Sequence, residues 1–491
     1  MSNPYESPST ETASHERTAS RSATVFQKKP LAELLTLAVP TVLQMVSYTV
    51  EQFTDVFMLS KLGNVEAAAC VNAGMVVFCV ISFGFGILML INTLVSQSFG
   101  AGDHRACGRW LWQGVWMAVG YSAAMMPIMF WSRELFQAMG HADNVVPMEV
   151  EYFNVSIVFL VVKMLAVTFG QFMLAINRPN VVFISAIAGM LSNALINWLL
   201  IYGNWGAPAM GVAGSAWGTN SSIFIELSIL VGVALAPRIR DQFHTLAVRF
   251  EWTKFRELLR IGLPSGFQTT GDVVAWTIFL AVVMPGFGEA AMAANGYMLQ
   301  YMKMSFMPAF GLSTAVTALV ARYVGAKNPE VAEHRAHLGF WVAMVYMIGC
   351  GVAFLLLRNR LMDLFTADPE TIAIGGKLMI VCAAFQIFDA MFIIYIGALR
   401  GVRDTFVPSC VQIALCWSLV VGGGLAVAKL FPEWGVFGPW SLGIVYGVVL
   451  GTYLMARFRS GRWRTLEPET VAEAQRFDLA AATAVEPLGK S

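Results

Sequence analysis

Apolar stretches long enough to cross a lipid bilayer follow one another along almost the whole chain, separated by short polar breaks. An α-helix rises about 1.5 Å per residue, so about 20 apolar residues span the hydrocarbon core of a membrane. Runs of this length are typical of transmembrane helices. They predict twelve helices, at 34–60, 66–99, 109–131, 149–176, 180–203, 211–236, 253–284, 289–325, 336–357, 372–400, 404–429 and 434–457. We therefore expect an all-α integral membrane protein.

The two halves of this pattern resemble each other in sequence. The segment GNVEAAACVNAGM from Gly63 aligns with GFGEAAMAANGYM from Gly286, and Pro40 aligns with Pro264 at nearly the same offset. Such self-similarity indicates an internal duplication of six helices. Because six is even, both copies cross the membrane in the same orientation, and a transport site is expected at or within the two lobes. We predict an N-terminal lobe at 31–236, a cytoplasmic linker at 237–252 and a C-terminal lobe at 253–457.

Lysine and arginine are concentrated in the loops and tails on one side of the predicted membrane. An even helix number puts both termini on that side, which the positive-inside rule assigns to the cytoplasm. We expect a multi-pass protein of the inner (plasma) membrane, with a disordered cytoplasmic tail at 1–30 and a second cytoplasmic tail at 458–491. The net charge of +1 gives no sign of nucleic-acid binding. The seven cysteines lack metal-site spacing, and no catalytic triad or phosphate loop appears, so no metal and no enzyme activity are predicted.

Two acids lie inside the first predicted helix. Glu51 and Asp55 are four residues apart and therefore share a helix face. A charged side chain at the membrane centre costs about 2.5–3.5 kcal/mol, so these acids must be protonated, paired or facing water. Asn193, Asn197 and Thr219, on the fifth and sixth helices, would complete a polar cluster with Asp55. The alternatives are that Asp55 reaches interfacial water and that the amides hold helices together.

Two further acids lie in the second half. Asp272 on the seventh helix and Asp389 on the tenth, with Gln386 one turn away, would supply oxygen ligands or a proton position. A hydrogen-bonded packing pair is the alternative. Lys163 and Lys303 fall inside apolar runs and are candidate counter-ions to the acids of their lobes, unless they extend to the membrane surface.

The eighth predicted helix carries a series of aromatic and methionine side chains. Tyr297, Tyr301 and Met304 are candidates for a substrate cavity, because ring faces attract organic cations and methionine adapts to varied amphiphiles. Ordinary helix packing explains such a series equally well.

Three segments together resemble the multidrug and toxic compound extrusion (MATE) family of secondary antiporters. They are the P-x14-D spacing from Pro40 to Asp55, the segment INWLLIYGNWGAPAMGVAGSAWGT at 196–219, and GALRGVRD at 397–404. The resemblance implies two six-helix lobes in a V around a central cavity. It also implies efflux of small organic, typically cationic amphipathic compounds, coupled to entry of H⁺ or Na⁺ by alternating access. We accordingly expect a monomer in the lipid bilayer, without a cofactor.

The resemblance also assigns roles to the acids. Asp55 falls on the family's N-lobe carboxylate, with Asn193, Asn197 and Thr219 as its neighbours. Asp272 and Asp389 fall on the C-lobe acids of the sodium-linked branch. Asn197 is neutral where some members are acidic, and Asp272 is shorter than the usual glutamate, so the coupling ion stays open between H⁺ and Na⁺.

Three other functions fit parts of the pattern. Flippases of lipid-linked substrates belong to the same superfamily, but they need a strongly cationic cavity, and the predicted helices offer only Lys163 and Lys303. An integral-membrane enzyme requires a catalytic cluster at one interface, which is not evident. A channel would fit a polar path, although duplicated lobes favour a rocking motion.

Overall fold

The computed structural model describes residues 29–465, so the tails expected at 1–30 and 458–491 lie largely outside the described residues. The described chain is built from α-helices with short 3₁₀ and π segments, and residues 29–465 contain no strand. The N-terminal half comprises α1 (Pro30–Ser60), α2 (Asn64–Leu88), α3 (Leu90–Gly100), α4 (His104–Met125), α5 (Ser132–Ala138), α6 (Val146–Val158), α7 (Leu160–Ala175), α8 (Pro179–Tyr202) and α9 (Gly211–Ala234). A short helix, α10 (Pro237–Phe243), precedes α11 (Trp252–Ile278), α12 (Glu289–Gly325), α13 (Pro329–Asp363), α14 (Pro369–Gly401), α15 (Phe406–Leu415), α16 (Gly424–Leu430) and α17 (Phe437–Arg459).

These helices agree with the predicted membrane spans. Within residues 29–465, eleven helical segments are long and apolar enough to cross a membrane, and the bent pair α6 and α7 makes a twelfth. The prediction of an all-α, multi-pass membrane protein is therefore confirmed. One predicted helix, 149–176, is not continuous, because α6 and α7 meet at an angle of 49° on either side of Phe159.

Each half encloses its own apolar core, and each contributes one helix to the core of the other. Leu34, Leu37 and Ala38 at the start of α1 pack among side chains of the C-terminal half. Leu258, near the start of α11, packs among side chains of the N-terminal half. The first helix of each six-helix unit thus crosses into the opposite unit, which locks the two lobes together at one end.

Matched glycines make the contact between the lobes symmetric. A Cβ on Gly86 would lie 2.6 Å from the carbonyl oxygen of Ser265, and a Cβ on Gly311 would lie 2.8 Å from that of Thr41. Gly100 and Gly325 repeat this relation with the carbonyl groups of residues 322 and 97. The paired positions are about 225 residues apart, as in the sequence repeat. The duplication is therefore visible as an approximate twofold relation between two interlocked backbones.

Polar contacts between the lobes concentrate at the end where α1 begins. Gln97 Nε2 donates to the carbonyl of Gly401 over 2.9 Å, and Thr93 Oγ1 donates to the carbonyl of Arg400 over 3.0 Å. Glu33 accepts from Arg335 Nε over 2.8 Å. The charge pattern assigns this end to the cytoplasm, so the lobes are joined on the side predicted to face the cytoplasm.

The predicted linker contains a helix. Its α10 packs on the N-terminal half, where Ile239 and Phe243 join the apolar core. Trp112 Nε1 on α4 donates to the carbonyl of Thr245 over 2.8 Å, which holds the end of this segment. The connection between the lobes is therefore anchored to the first lobe before α11 begins.

Candidate functional site

Asp55 lies in a hydrogen-bonded cluster between α1, α8 and α9. Asn197 Nδ2 donates to Asp55 Oδ1 over 2.5 Å, and Thr219 Oγ1 donates to Asp55 Oδ2 over 3.0 Å. Asn193 Nδ2 donates to Thr219 Oγ1 over 3.3 Å. Only 6% of Asp55 is exposed. The structure therefore brings together the four N-lobe residues that the sequence selects, and it surrounds the Asp55 carboxyl group with protein donors.

The antiparallel course of α1 and α9 explains this arrangement. Residues four apart share a face of a helix, so Asn193 and Asn197 both face α1 from α8. Because α1 and α9 run antiparallel, their polar side chains pair in opposite chain order, and Asp55 is hydrogen-bonded to Thr219. One turn closer to the start of α1, Ser222 Oγ donates to Glu51 Oε1 over 2.9 Å. Glu51 is 8% exposed and thus belongs to the same buried site.

Lys163 is the candidate counter-ion of the N-lobe acids. It lies on α7, just after the bend at Phe159, and its ammonium group interacts electrostatically with Glu51 and Asp55. The assignment of Lys163 as a counter-ion stays a prediction.

Two residues of this site were missed in the sequence analysis. Tyr48 Oη donates to Glu226 Oε1 over 2.7 Å, and Gln44 Nε2 donates to Tyr48 Oη over 3.0 Å. Glu226 is 5% exposed. The available signal was simple: Glu226 is the sole ionisable side chain in the sixth apolar run, 211–236, and it lies one helical turn from Ser222.

The C-lobe acids lie in a separate site. Asp389 interacts electrostatically with Asp272, and Tyr446 Oη lies 3.4 Å from Asp272 Oδ1. Gln386 Nε2 donates to Ser305 Oγ over 2.8 Å. Within residues 29–465, Asp389 Oδ2 and Gln386 Oε1 are buried acceptors without a hydrogen-bond partner. Two oxygens are therefore available to a proton donor or a cation in this lobe.

The other C-lobe candidates lie in different environments. Lys303 is exposed and donates to Gln52 Oε1 of the N-terminal lobe over 2.5 Å. The Tyr297 ring stacks on Phe365 with centroids 4.8 Å apart. Tyr301 Oη donates to the carbonyl of Leu361 over 2.7 Å. Met304, by contrast, is 60% exposed. The structure therefore packs both tyrosines inside the C-terminal lobe and leaves Met304 open.

Neither acid site has the composition of a structural metal centre. Across the described residues, no group of three or more histidine, cysteine, aspartate or glutamate side chains has metal-binding geometry. What the two sites share is a buried carboxyl group with polar and ionisable neighbours, and such a group can exchange a proton or a monovalent cation.

Comparisons with known proteins agree with this architecture. The sequence model of the MatE family matches residues 40–199 and 273–423, one stretch in each half. The probable multidrug resistance protein NorM of Agrobacterium fabrum is 29% identical over 418 residues, which cover 81% of this chain and 86% of that protein. The multidrug resistance protein PmpM of Pseudomonas aeruginosa is 29% identical over 447 residues, covering 88% and 91%.

The fold has a counterpart among solved structures. The crystal structure of the eukaryotic MATE transporter AtDTX14 superposes with a TM-score of 0.79 at 17% identity, covering 88% of this chain and 96% of that chain. The family resemblance found in the motifs is thus confirmed by an independent match in both halves. The chain belongs to the MatE family and is a membrane transporter, not an enzyme.

Proposed function

We propose that this protein exports organic, mainly cationic amphipathic compounds across the inner membrane by alternating access, and that entry of H⁺ drives it through Asp55. The observation that carries this proposal is the buried carboxyl group of Asp55, held by donors from two other helices of one lobe. The multidrug resistance names of the NorM and PmpM relatives support the substrate class.

The contacts between the lobes support alternating access. The lobes are joined through Gln97, Thr93 and Glu33 at the end predicted to be cytoplasmic. In the opposite half, the bond between Lys303 and Gln52 links the lobes through two flexible side chains. This arrangement corresponds to a state closed toward the cytoplasm, with both termini on the cytoplasmic side. Transport then requires that the cytoplasmic contacts separate in a second state.

The chemistry at Asp55 favours a proton over sodium. Both carboxylate oxygens already accept from N–H or O–H donors of Asn197 and Thr219. A metal cation requires several oxygen ligands, and the amide nitrogen of Asn197 takes the place of one. A proton needs a single oxygen. The C-lobe acids Asp272 and Asp389 stay candidates for a second coupling site, because unpartnered acceptors lie beside them.

A flippase of lipid-linked anions is the second candidate, and the charge arrangement disfavours it. Lys163 faces Glu51 and Asp55, so its charge is directed at carboxyl groups and not at a phosphate. Of the two lysines predicted inside the membrane, Lys303 is then the one left to bind an anionic substrate. An acidic lobe of this kind suits a cationic substrate, which competes electrostatically with H⁺.

The test is efflux of ethidium from proteoliposomes with a proton gradient and a sodium gradient imposed separately. We expect the wild type to respond to the proton gradient, Asp55→Asn to abolish transport, and Asp389→Asn to reveal whether the C-lobe contributes. Asp143→Asn is the matched control, because Asp143 is an exposed acid in a loop. If folded wild type moves no dye under either gradient, the proposal is wrong. Full activity of Asp55→Asn would exclude Asp55 as the coupling group.

A further inference from the structure

Three carboxyl groups, and not one, line the contact between α1 and α9. On α1 the polar positions are Tyr48, Glu51 and Asp55, spaced three and four residues apart. On α9 they are Thr219, Ser222 and Glu226, with the same spacing. The observed bonds pair them in antiparallel order, as Asp55 with Thr219, Glu51 with Ser222, and Tyr48 with Glu226. The site therefore extends over about two helical turns toward the predicted cytoplasmic end.

The positive charge available to these groups is smaller than the negative charge. Lys163 interacts electrostatically with Glu51 and Asp55, whereas the hydrogen-bond partner of Glu226 is Tyr48. Glu51 and Glu226 also interact electrostatically. If all three carboxyl groups were ionised, two negative charges would remain beside Lys163 in a buried site. Buried charges without partners are strongly unfavourable, so two further monovalent cations are required.

The hydrogen bonds around Glu226 are compatible with a proton on this carboxyl group. Gln44 Nε2 donates to Tyr48 Oη, so the tyrosine accepts there and donates its own proton to Glu226 Oε1. Oε2 of Glu226 lies toward Gly189 of α8, where the small residue leaves the carboxyl group close to the backbone. A proton on Oε2 is therefore compatible with the observed bonds.

A second feature of this cluster is a buried acceptor without a donor. Asn197 is fully buried and its Nδ2 is bonded to Asp55, but within residues 29–465 its Oδ1 has no donor. A buried acceptor without a donor is unfavourable. This oxygen lies against Gly218 of α9, so the cluster contains an acceptor that its protein neighbours leave unpaired.

We propose that the N-lobe site binds two transferable protons, one shared by Asp55 and Glu51 beside Lys163, and a second on Glu226. This inference rests on the proposed proton coupling at Asp55 and extends it to a stoichiometry. Entry of two protons in exchange for one monovalent cation moves one net positive charge inward. The titratable groups facing the site from the surrounding helices are Tyr48, Glu51 and Asp55 on α1, Cys70 on α2, Tyr152 on α6, Lys163 on α7 and Glu226 on α9.

The first experiment is independent of substrate. Infrared pH-difference spectra of the full chain in lipid report protonated carboxyl groups through their C=O stretch. We expect Glu226→Gln and Asp55→Asn each to remove a different band, whereas Asp143→Asn removes neither. Tyr48→Phe keeps the carboxyl group but removes its donor, so it should shift the Glu226 band. If the Glu226→Gln variant does not fold, the band shift in Tyr48→Phe decides whether Glu226 is protonated. The inference is wrong if the Tyr48→Phe spectrum is identical to that of the wild type. It is equally wrong if a folded Glu226→Gln variant gives the wild-type spectrum.

The second experiment measures charge. Ethidium, a monovalent cation, is transported in proteoliposomes at a fixed pH gradient while a potassium diffusion potential is imposed, with Asp55→Asn vesicles as the passive control. For wild type, the limiting ethidium gradient should change tenfold for each 59 mV, as one net charge requires. For Glu226→Gln it should not respond to the potential. If the limiting ethidium gradient of the wild type does not change with the membrane potential, the two-proton inference is wrong. Proton coupling at Asp55 is not contradicted by that result. Failure of all ethidium transport refutes the proposed function, and the infrared result still decides the protonation of Glu226.

Discussion

The ion pair between Glu33 and Arg335 offers the most direct test of how the lobes are held together. Glu33 lies at the start of α1, and Arg335 lies on α13 of the other lobe. Arg335 Nε is 2.8 Å from Glu33 Oε2, and the two side chains are 7% and 11% exposed. Tyr323 Oη also donates to Glu33, over 2.9 Å. The pair therefore closes the predicted cytoplasmic end.

The free-energy contribution of the Glu33–Arg335 ion pair to closure follows from the difference between the buried interface and water. Two unit charges about 4 Å apart attract each other by about 4 kcal/mol at an effective dielectric constant of about 20, and by about 1 kcal/mol in bulk water. Both side chains would enter water when the lobes separate, so the pair favours the closed interface by up to about 3 kcal/mol. A glutamine at position 33 still accepts from Tyr323. We therefore expect Glu33→Gln to weaken closure by about 2 kcal/mol, which raises the ratio of open to closed molecules about 30-fold.

The assay is electron–electron distance measurement between two spin labels. The labels replace Arg105 and Glu330, which are exposed and occupy matching positions of the repeat, in a background without the native cysteines. We expect Glu33→Gln to increase the population of long distances at the predicted cytoplasmic end. Exchange of the two charges, Glu33→Arg with Arg335→Glu, should return the distribution toward that of the wild type, because it restores the attraction.

Two results would contradict this reasoning. If the distance distribution of Glu33→Gln matches that of the wild type, the ion pair does not set the conformational balance. If the charge exchange is as open as the single substitution, the effect comes from local packing and not from attraction between the charges. Asp143→Asn, which changes a loop acid outside the interface, controls for a general effect of charge.

Three further substitutions test the interface, the packing of the C-terminal lobe and the substrate surface. Gly325→Ala places a Cβ against the carbonyl oxygen of Gln97, so it should shift the same spin-label distances toward the open state, whereas Gly349→Ala, which meets no atom within 4 Å, should not. Tyr301→Phe removes a bond to the carbonyl of Leu361 and should lower stability by about 1 kcal/mol, seen as a lower thermal unfolding midpoint. Met304→Ala should instead weaken ethidium binding by about 0.3–1.5 kcal/mol, measured by fluorescence titration, without moving that midpoint.

Much of the fold could be predicted from the sequence because its determinants are local or repeated. A membrane requires that each spanning segment satisfy its own backbone hydrogen bonds, so apolar runs become helices with little influence from neighbours. The duplication is visible as a repeat of GNVEAAAC-like and proline-containing segments. The break at Phe159 is different, because the apolar run 149–176 continues across it without a proline or glycine at the bend.

The candidate site was predicted in part for the same reason. Asp55, Asn193 and Asn197 are polar residues at helical spacing inside apolar runs, and that signal needs no knowledge of packing. Glu226 has the same signal, but its role depends on Tyr48, which is 178 residues away in sequence and lies on the face of α1 toward α9. The ion pair of Glu33 with Arg335 depends equally on a contact 302 residues apart. Such pairs are determined by how the lobes pack, which periodicity does not encode.

The two lobes have preserved their mutual interface and lost the symmetry of their buried sites. With the repeat offset of about 224, Asp55 corresponds to Phe279. Asp272 corresponds to Tyr48, one of the neutral groups of the N-lobe site. The glycines Gly100 and Gly325, in contrast, still make matching contacts. The proposed rocking motion requires that two similar surfaces slide or separate, and a symmetric interface fits this proposal. Ion binding needs only one lobe to respond, so the acids were free to diverge, and the lobe that contains Asp55, Glu51 and Glu226 is the one that we expect to couple protons to this motion.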